Sequence, residues 1–233
     1  MAKLILFPVP IGATDPDTSL PPYNRELLNA CHIFIVENIR TARRNLKRMG
    51  YTSPIDNVTF LELNEHTSPL DISHYLDPIA QGEDIGLMSE AGIPCVADPG
   101  SLITSMAQRN GIDILPLIGP CSIMLALMAS GFNGQNFAFN GYPPIDEKSR
   151  TTLLHTLEQR IYRDHQTQIF IEAPYRNDKL LHYLAAHLQP TTRICVATDI
   201  TLPTQYIRTR LARQWRTDPP QLNKRPTIFL IYK

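Results

Sequence analysis

The 233-residue chain has no excess of charge of either sign, because lysine plus arginine and aspartate plus glutamate each total 22. A formal net charge of zero argues against a protein that coats nucleic acid by bulk attraction, although a local basic face is compatible with it. Charged residues make up 19% of the chain and hydrophobic residues 43%, which indicates an ordinary globular protein rather than a disordered one.

Cysteine is scarce and widely spaced in this sequence. The cysteines form no CxxC pair, and each stands in an apolar neighbourhood. This spacing favours neither a zinc site nor a disulfide framework, and it predicts buried free thiols in a reducing cytoplasm. No HExxH motif and no histidine and cysteine cluster is present, so no bound metal is expected. The four cysteines are Cys31, Cys95, Cys121 and Cys195.

The sequence also lacks a segment that is well suited to cross a membrane. The apolar stretch near the N-terminus is short and broken by prolines, so a signal peptide is not expected. Residues 114–132 carry no charge and approach membrane-spanning length, but Pro116, Gly119 and Pro120 interrupt them near their start. The expected structure there is a buried strand, a turn and a buried helix.

Three motifs of common enzyme classes are absent. The chain has no GxGxxG fingerprint, so a nicotinamide-dinucleotide site is weakly supported. It has no GxxxxGK[ST] phosphate loop and no GxSxG turn, so neither a P-loop enzyme nor an α/β-hydrolase is expected.

What the first half does contain is an alternation of short apolar runs with helical patterns. This alternation predicts a parallel α/β sheet. In the second half the last strands follow one another with little helix between them, which predicts a mixed, partly antiparallel sheet. The change of pattern predicts two α/β domains, residues 1–118 and 119–233.

Glycine and proline concentrate in three loops that follow predicted strands, at 9–17, 89–94 and 118–122. Ligands collect beyond the carboxyl ends of parallel strands, so we expect these loops to line one cleft with backbone N–H and C=O groups. The predicted helix at 39–50 carries many basic side chains, and two interpretations of it stay open. The basic side chains form either a solvated helix face or a surface that binds anions or RNA.

Several motifs in a constant order carry a resemblance to a known family. Between about residues 5 and 180 the chain resembles the tetrapyrrole (corrin/porphyrin) methylase superfamily, most closely its branch of small-subunit ribosomal RNA 2′-O-ribose methyltransferases. The matching stretches are VPIG at 9–12, ENIRTARRNLKRMG at 37–50, NEH at 64–66, SEAGIPCVADPG at 89–100, IGPCS at 118–122, ASGFNGQNFAFNGYPP at 129–144 and IFIEAPYR at 169–176.

The resemblance implies a two-domain α/β fold, a homodimer, and S-adenosylmethionine held in a cleft between the domains. The first loop, the SEAGIP loop and a position after the third loop are then expected at the cofactor, with counterparts in the second domain. The implied cofactor-binding residues are Pro10, Ser89, Glu90, Ala91, Gly92, Ile93, Ser122, Ile171, Pro226 and Thr227.

Two residues of the SEAGIPCVADPG stretch have a more specific expected role. Gly92 is expected to bring the backbone close to the cofactor, where a Cβ would collide. Asp98 either accepts hydrogen bonds from the ligand or from loop amides, or caps a helix that begins near Pro99.

A ribose hydroxyl must lose its proton when it is methylated, so a base or a local positive field is expected. The candidate catalytic residues are Glu37 and Arg40, just after the second strand, and Glu172 and Arg176 in the second half. Each of them is alternatively half of a structural ion pair.

The chain departs from the ribosomal RNA branch at positions where that branch usually has a carboxylate, since it has Asn38 and Asn140 instead. The expected function is S-adenosylmethionine-dependent methylation of ribosomal RNA at a ribose 2′-oxygen. Two alternatives stay open. One is methylation of a small tetrapyrrole-like molecule, and the other is a non-catalytic protein that binds S-adenosylmethionine.

Overall fold

The structure is a computed structural model that describes all residues from 1 to 233. The chain forms two compact units, Met1–Cys121 and Ser122–Lys233. Each unit has its own five-stranded sheet and its own hydrophobic core.

The first unit is built on a fully parallel sheet, as the alternating pattern predicts. Its strands are arranged in the order β3-β2-β4-β1-β5. Of the three inner strands, β2 and β4 are buried along their whole length, which is typical of a parallel sheet covered on both faces. The strands are Leu4–Phe7 (β1), Ile33–Val36 (β2), Thr59–Glu62 (β3), Ile85–Met88 (β4) and Ile114–Pro116 (β5).

Five helices connect these strands, and the second of them matters most for the site. It begins after Asn38, whose side chain accepts a hydrogen bond from the Thr41 backbone N–H at 3.0 Å. Ala42 and Leu46 point from it into the core. The helices are Pro22–Ala30 (α1), Ile39–Arg48 (α2), Pro69–Ser73 (α3), Asp77–Ala80 (α4) and Ser101–Arg109 (α5).

The sequence pattern of residues 70–82 predicts a helix. In the structure this region forms the two short helices α3 and α4 instead of one continuous helix. Pro78 lies in the first turn of α4, where its missing N–H is tolerated. In a continuous helix that N–H would have to donate to the carbonyl of His74, four residues earlier, and proline has none to donate.

The second unit contains a mixed sheet, again as predicted. Strand β6 is parallel to β7, whereas along the series β7, β10, β8 and β9 each strand is antiparallel to its neighbour. The order across the sheet is β6-β7-β10-β8-β9. The strands are Phe137–Phe139 (β6), Thr167–Ile171 (β7), Arg193–Thr198 (β8), Tyr206–Leu211 (β9) and Thr227–Tyr232 (β10).

The core of the second unit is centred on Trp215, which is fully buried and donates its indole N–H to the carbonyl of Ile194 at 3.0 Å. Phe170 and Phe229 stack beneath it on neighbouring strands. The helices are Ser122–Ser130 (α6), Glu147–Asp164 (α7), Asn177–His187 (α8) and Ala212–Trp215 (α9). Short 3₁₀ turns occur at Pro16–Thr18, Ile55–Asn57 and Pro174–Arg176.

Helix α6 is not completely buried, contrary to expectation. Its all-round apolar sequence predicts complete burial, and Ile123 and Leu127 are indeed buried. Met124 and Met128, however, are 43% and 77% exposed, and their spacing of four residues places them on one face. The apolar run at 114–132 therefore divides into strand β5 and a nine-residue helix. None of the helices combines the length and apolar character that a membrane crossing requires.

The packing in the centre of the first sheet generates a test of the fold. A Cβ on Gly86 in β4 would lie 2.5 Å from a ring carbon of Phe34 and 3.0 Å from one of Phe7. We expect Gly86→Ala to lower the free energy of unfolding by about 1–3 kcal/mol, because two packed rings must move. Urea unfolding measures this loss. The control Gly134→Ala has open space around its Cβ, and it should change stability by less than about 0.5 kcal/mol.

Candidate active site

The loops after β1 and β4 are joined by backbone hydrogen bonds. The Val9 N–H donates to the carbonyl of Gly92 at 2.8 Å, and the Gly92 N–H donates to the carbonyl of Val9 at 2.8 Å. The buried Ser89 hydroxyl donates to the same Gly92 carbonyl at 2.9 Å. Pro10 follows Val9 directly and is buried.

The third loop reaches the same place. Gly92 has a φ of +78°, and a Cβ added to it would lie 3.3 Å from the carbonyl oxygen of Pro120. The loops at 9–17, 89–94 and 118–122 thus converge, as their positions after strands predict. The glycine is already required by the positive φ and by Pro120, and its N–H and C=O are used by Val9. Contact of Gly92 with a cofactor therefore stays a prediction.

An open cavity of about 770 Å³ lies at the carboxyl ends of β2, β3 and β4. The sheet register explains why its walls meet there. Val36 pairs with both Met88 and Glu62, so the chain segments that follow these residues leave the sheet at the same level. The lining residues are Glu37, Asn38, Thr41, Asn64, Glu65, His66, Glu90 and Pro99.

Three carboxyl groups act on one another at this cavity. The side chains of Glu37 and Glu90 are exposed at the cavity mouth and only partly desolvated. Partial desolvation raises the pKa of Glu37, and the nearby charges of Asp98 and Glu90 raise it further. Partial desolvation likewise raises the pKa of Glu90, while a hydrogen bond from Thr41 and the charge of Arg44 act in the opposite direction. The pKa of Asp98 is also raised, mainly by burial. The cavity therefore favours bound positive charge or a proton.

Asp98 is held by its own loop. Its carboxylate accepts the Gly100 backbone N–H at 2.8 Å. The next helix, α5, begins at Ser101 with Gly100 at its N-cap, so the expected helix start near Pro99 is wrong by two residues. Asp98 stabilises the turn before the helix and does not cap the helix itself.

Of the four candidate catalytic residues, Glu37 is the one that lines the cavity. Arg40, the second residue of α2, is exposed, and its side chain makes no hydrogen bond or ion pair. In the second unit, Glu172 is buried and accepts the Arg176 Nε–H at 3.0 Å and the Ala173 backbone N–H at 2.7 Å. Glu172 and Arg176 thus form the ion pair that was the alternative interpretation of these two residues.

The second unit brings its own candidate residues to one end of its sheet. Ile171 ends β7 and pairs with Ile228, next to Thr227 at the start of β10. The buried Thr227 hydroxyl lies 2.7 Å from that of Thr198, and the carbonyl of Pro226 accepts the Asp199 N–H. Ser122 is the first residue of α6. Their contact with a cofactor stays a prediction.

Five polar residues line the cavity that the sequence did not indicate as site residues: Asn38, Thr41, Asn64, Glu65 and His66. A signal exists for three of them, because the NEH motif at 64–66 is among the matching stretches and follows strand β3. Asn38 was considered only as a departure from a carboxylate. In the structure it caps α2 and also lines the cavity.

Solved structures of similar fold define the class of this chain. The methyltransferase CobJ superimposes with a TM-score of 0.66 over 100% of this chain and 95% of its own, at 17% identity. The cobalamin biosynthetic enzyme cobalt precorrin-4 methyltransferase, CbiF, gives a TM-score of 0.59 over 99% and 94%, at 16% identity. The chain therefore has the fold of the tetrapyrrole methylases, with a parallel and a mixed sheet. No protein-family model matches it.

Sequence relatives narrow this class. Three of them carry the name ribosomal RNA small subunit methyltransferase I. The protein of Pseudomonas aeruginosa is 29% identical over 74% of this chain, that of Escherichia coli O157:H7 28% over 85%, and that of Buchnera aphidicola subsp. Schizaphis graminum 26% over 98%. The predicted resemblance is thus confirmed, and the chain is a divergent relative of these proteins.

The match covers the relatives themselves less completely. The aligned region spans 57% of the Pseudomonas protein, 65% of the Escherichia protein and 77% of the Buchnera protein.

The raised pKa of Asp98 generates a stability prediction. A carboxyl whose pKa is higher in the folded state stabilises the fold at low pH, and this contribution is lost as the pH rises through the folded-state pKa. Asp98→Asn removes the ionisation and keeps an oxygen for the Gly100 N–H. We expect the variant to exceed the wild type in unfolding free energy at pH 8, by a margin that shrinks towards acid pH.

Urea unfolding at a series of pH values measures this margin. Asp113→Asn, which changes an exposed carboxyl of the same unit, serves as the matched control. A margin for Asp98→Asn that does not vary with pH would contradict the assigned cause.

Proposed function

We propose that this protein transfers the methyl group of S-adenosylmethionine to a ribose 2′-hydroxyl in the RNA of the small ribosomal subunit. The observation that supports it most directly is the convergence of three backbone-rich loops beside a carboxylate-lined cavity. The names of the sequence relatives support the same class of reaction and substrate.

The residues present suit this cofactor chemically. A volume of about 770 Å³ is within the usual range for small-molecule sites. The cofactor carries a sulfonium and an ammonium group. The pKa values of Glu37 and Glu90 are raised mainly by burial and further by neighbouring carboxylates, and a bound cation offsets both effects. When bound, S-adenosylmethionine supplies a methyl group already activated by the positive sulfur.

We assign the cofactor to the main chain and small side chains of the converging loops. In the first unit these are Pro10 and residues 89–93, of which Glu90 and Ala91 are exposed. In the second unit the residues are Ser122, Ile171, Pro226 and Thr227. Holding both reactants in line is the main task of such a site, since aligned reactants gain up to about 7–11 kcal/mol over free ones.

Glu37 is assigned as the general base. The Glu37 carboxylate would accept the proton of the ribose hydroxyl as its oxygen is methylated, and S-adenosylmethionine would supply the methyl group, with the bonding pair left on sulfur. The raised pKa of Glu37 makes its carboxylate a stronger base than an ordinary glutamate carboxylate. Arg40 adds positive charge one turn away, which favours the oxygen anion that develops.

Two further assignments accompany this function. We assign a homodimer, supported by the exposed Met124 and Met128 on α6 and by the exposed Phe137 of β6 in the same unit. We also assign a cytoplasmic location, supported by four free cysteines. Burial raises the pKa of the Cys31 and Cys195 thiols to about 11, so both remain protonated and unreactive in a reducing compartment.

The function is tested by mapping ribose methylation in small-subunit RNA. Small ribosomal subunits from a strain that lacks the gene are incubated with purified protein and S-adenosylmethionine labelled in its methyl group. Label at a ribose that is methylated in the parent strain and unmethylated in the deletion strain supports the proposal. Label only in a small-molecule fraction would assign a tetrapyrrole-like substrate, and no transfer to any fraction would assign a non-catalytic binding protein.

The role of Glu37 makes a second prediction. Only the ionised carboxylate accepts a proton, so activity should rise with pH through the pKa of Glu37, at a higher pH than an ordinary carboxyl would give. We expect Glu37→Gln to lower kcat by about 10²- to 10⁴-fold and to remove this rise from the pH profile. Glu83→Gln, at the opposite end of β4, is the control. A profile of Glu37→Gln with the same acid limb as the wild type would exclude Glu37 as the base.

A further inference from the structure

Helix α2 carries a stripe of positive charge. Arg40, Arg43, Arg44 and Lys47 are spaced at i, i+3, i+4 and i+7, so they share one helix face, and all four are exposed. At a rise of about 1.5 Å per residue the stripe extends over roughly 10 Å. These residues are called the α2 stripe below.

Little on the protein compensates this charge. Arg43 lies 3.8 Å from Asp56, whose side chain is 90% exposed, and its guanidinium lies 5.7 Å from the centre of the Phe60 ring. Arg44 makes one long hydrogen bond of 3.3 Å to the Thr41 hydroxyl, and Lys47 makes no side-chain hydrogen bond or ion pair. Exposed contacts of this kind contribute little to stability. The fold therefore does not explain why four cations stand together.

Neighbouring arginines show the contrast. Arg48, one position beyond the stripe, donates to the carbonyls of Gly12 and Thr14 and so holds the first loop. Arg25 on α1 pairs with Asp17. These two arginines have structural partners. In the α2 stripe, Arg43 has the exposed Asp56 as its acidic partner, and the charge of Arg44 acts on Glu90. Arg40 and Lys47 are exposed and have no side-chain partner.

A groove of about 470 Å³ runs beside the stripe. Arg43, Arg44 and Lys47 form one wall, and the segment 51–56 forms the other. That segment adds the hydroxyls of Thr52 and Ser53, and Asp56 is its one carboxylate. The Thr52 hydroxyl already donates to Asn29 Oδ1 at 2.7 Å, so the cations are the groups that suit phosphate oxygens. The groove thus has a net positive lining.

One helix connects the groove to the candidate active site. Asn38 and Thr41 at the start of α2 line the carboxylate-bordered cavity, whereas Lys47 near its end lines the groove. A chain bound along the stripe is therefore led towards Glu37. The groove lacks the exposed aromatic anchors that protein interfaces use, so its chemistry fits a phosphate chain better than an acidic protein.

We propose that the α2 stripe and its groove bind the phosphate backbone of the RNA substrate and guide the strand to the carboxylate-lined cavity. This inference rests on the proposed function. It also explains how a chain of zero net charge can bind RNA, because the attraction is local.

The test uses the full chain and the variant Arg43→Gln/Lys47→Gln, which leaves Arg40 and Arg44 near the site unchanged. The probe is a fluorescein-labelled single-stranded RNA of 20 nucleotides, and its anisotropy gives the dissociation constant between 50 and 200 mM salt. Each phosphate contact contributes about 0.7 to the slope of log affinity against log salt. For the two contacts removed, we expect the magnitude of the slope to fall by about 1.4. We also expect binding to be weakened to a similar extent for all RNA sequences.

The matched control is Lys179→Gln/Arg213→Gln, which removes the same charge from exposed positions on α8 and α9. Circular dichroism and the calorimetric affinity for S-adenosylmethionine report whether each variant is folded. Arg43→Lys, which keeps the charge, should retain the wild-type slope.

Several outcomes would overturn the inference. A wild-type slope in the double variant, or an equal loss in the control, would remove the stripe as an RNA site while ribose methylation of the small subunit continued to support the proposed function. Stripe-dependent binding of a glutamate-rich peptide without stripe-dependent binding of RNA would assign the surface to a protein. Failure of the wild type both to bind and to methylate RNA would overturn the proposed function as well.

Discussion

Two backbone hydrogen bonds between Val9 and Gly92 hold the candidate site together. They are possible because β1 and β4 are neighbours in the sheet and Phe7 pairs in register with Met88, so both loops start at the same level. The positive φ of Gly92 then turns the chain towards Pro120 and lets the third loop approach. Every other feature of the site depends on this closure, since it fixes where Glu90 stands relative to the end of β2.

Much of the fold was predictable because its signals are local. Buried parallel strands are short apolar runs, and Asn38 before an amphipathic stretch marks the start of α2. The exposed face of α6 was not predictable, since its sequence is apolar all round and only tertiary packing decides which side is covered. The break between α3 and α4 had a local signal in Pro78, and the helical pattern around it concealed that signal.

The site was predictable in outline and not in detail. Loops after neighbouring parallel strands must meet, so their composition alone indicated a common cleft. Which side chains face the cavity depends on loop conformation, and for that reason Asn64 and His66 were missed. Glu172 and Arg176 are four residues apart, a separation that also suits an ion pair. Their sequence positions therefore could not distinguish a catalytic role from a structural one. The effect of Asp98 on the pKa of Glu37 depends on how close the two carboxyl groups lie in the folded chain, and the sequence does not give that distance.

The net charge of zero conceals a division of charge that matters for function. Carboxyl groups gather at the start of α2, and cations follow along the same helix. A phosphate chain is repelled by the first group and attracted by the second, whereas a sulfonium cation has the opposite preference. Under the proposed function, the cofactor is therefore attracted to the carboxyl groups and the RNA backbone to the cations. Only the neutral ribose hydroxyl of the RNA has to enter the acidic cavity, and the phosphates on either side of it can remain outside, where the cations lie.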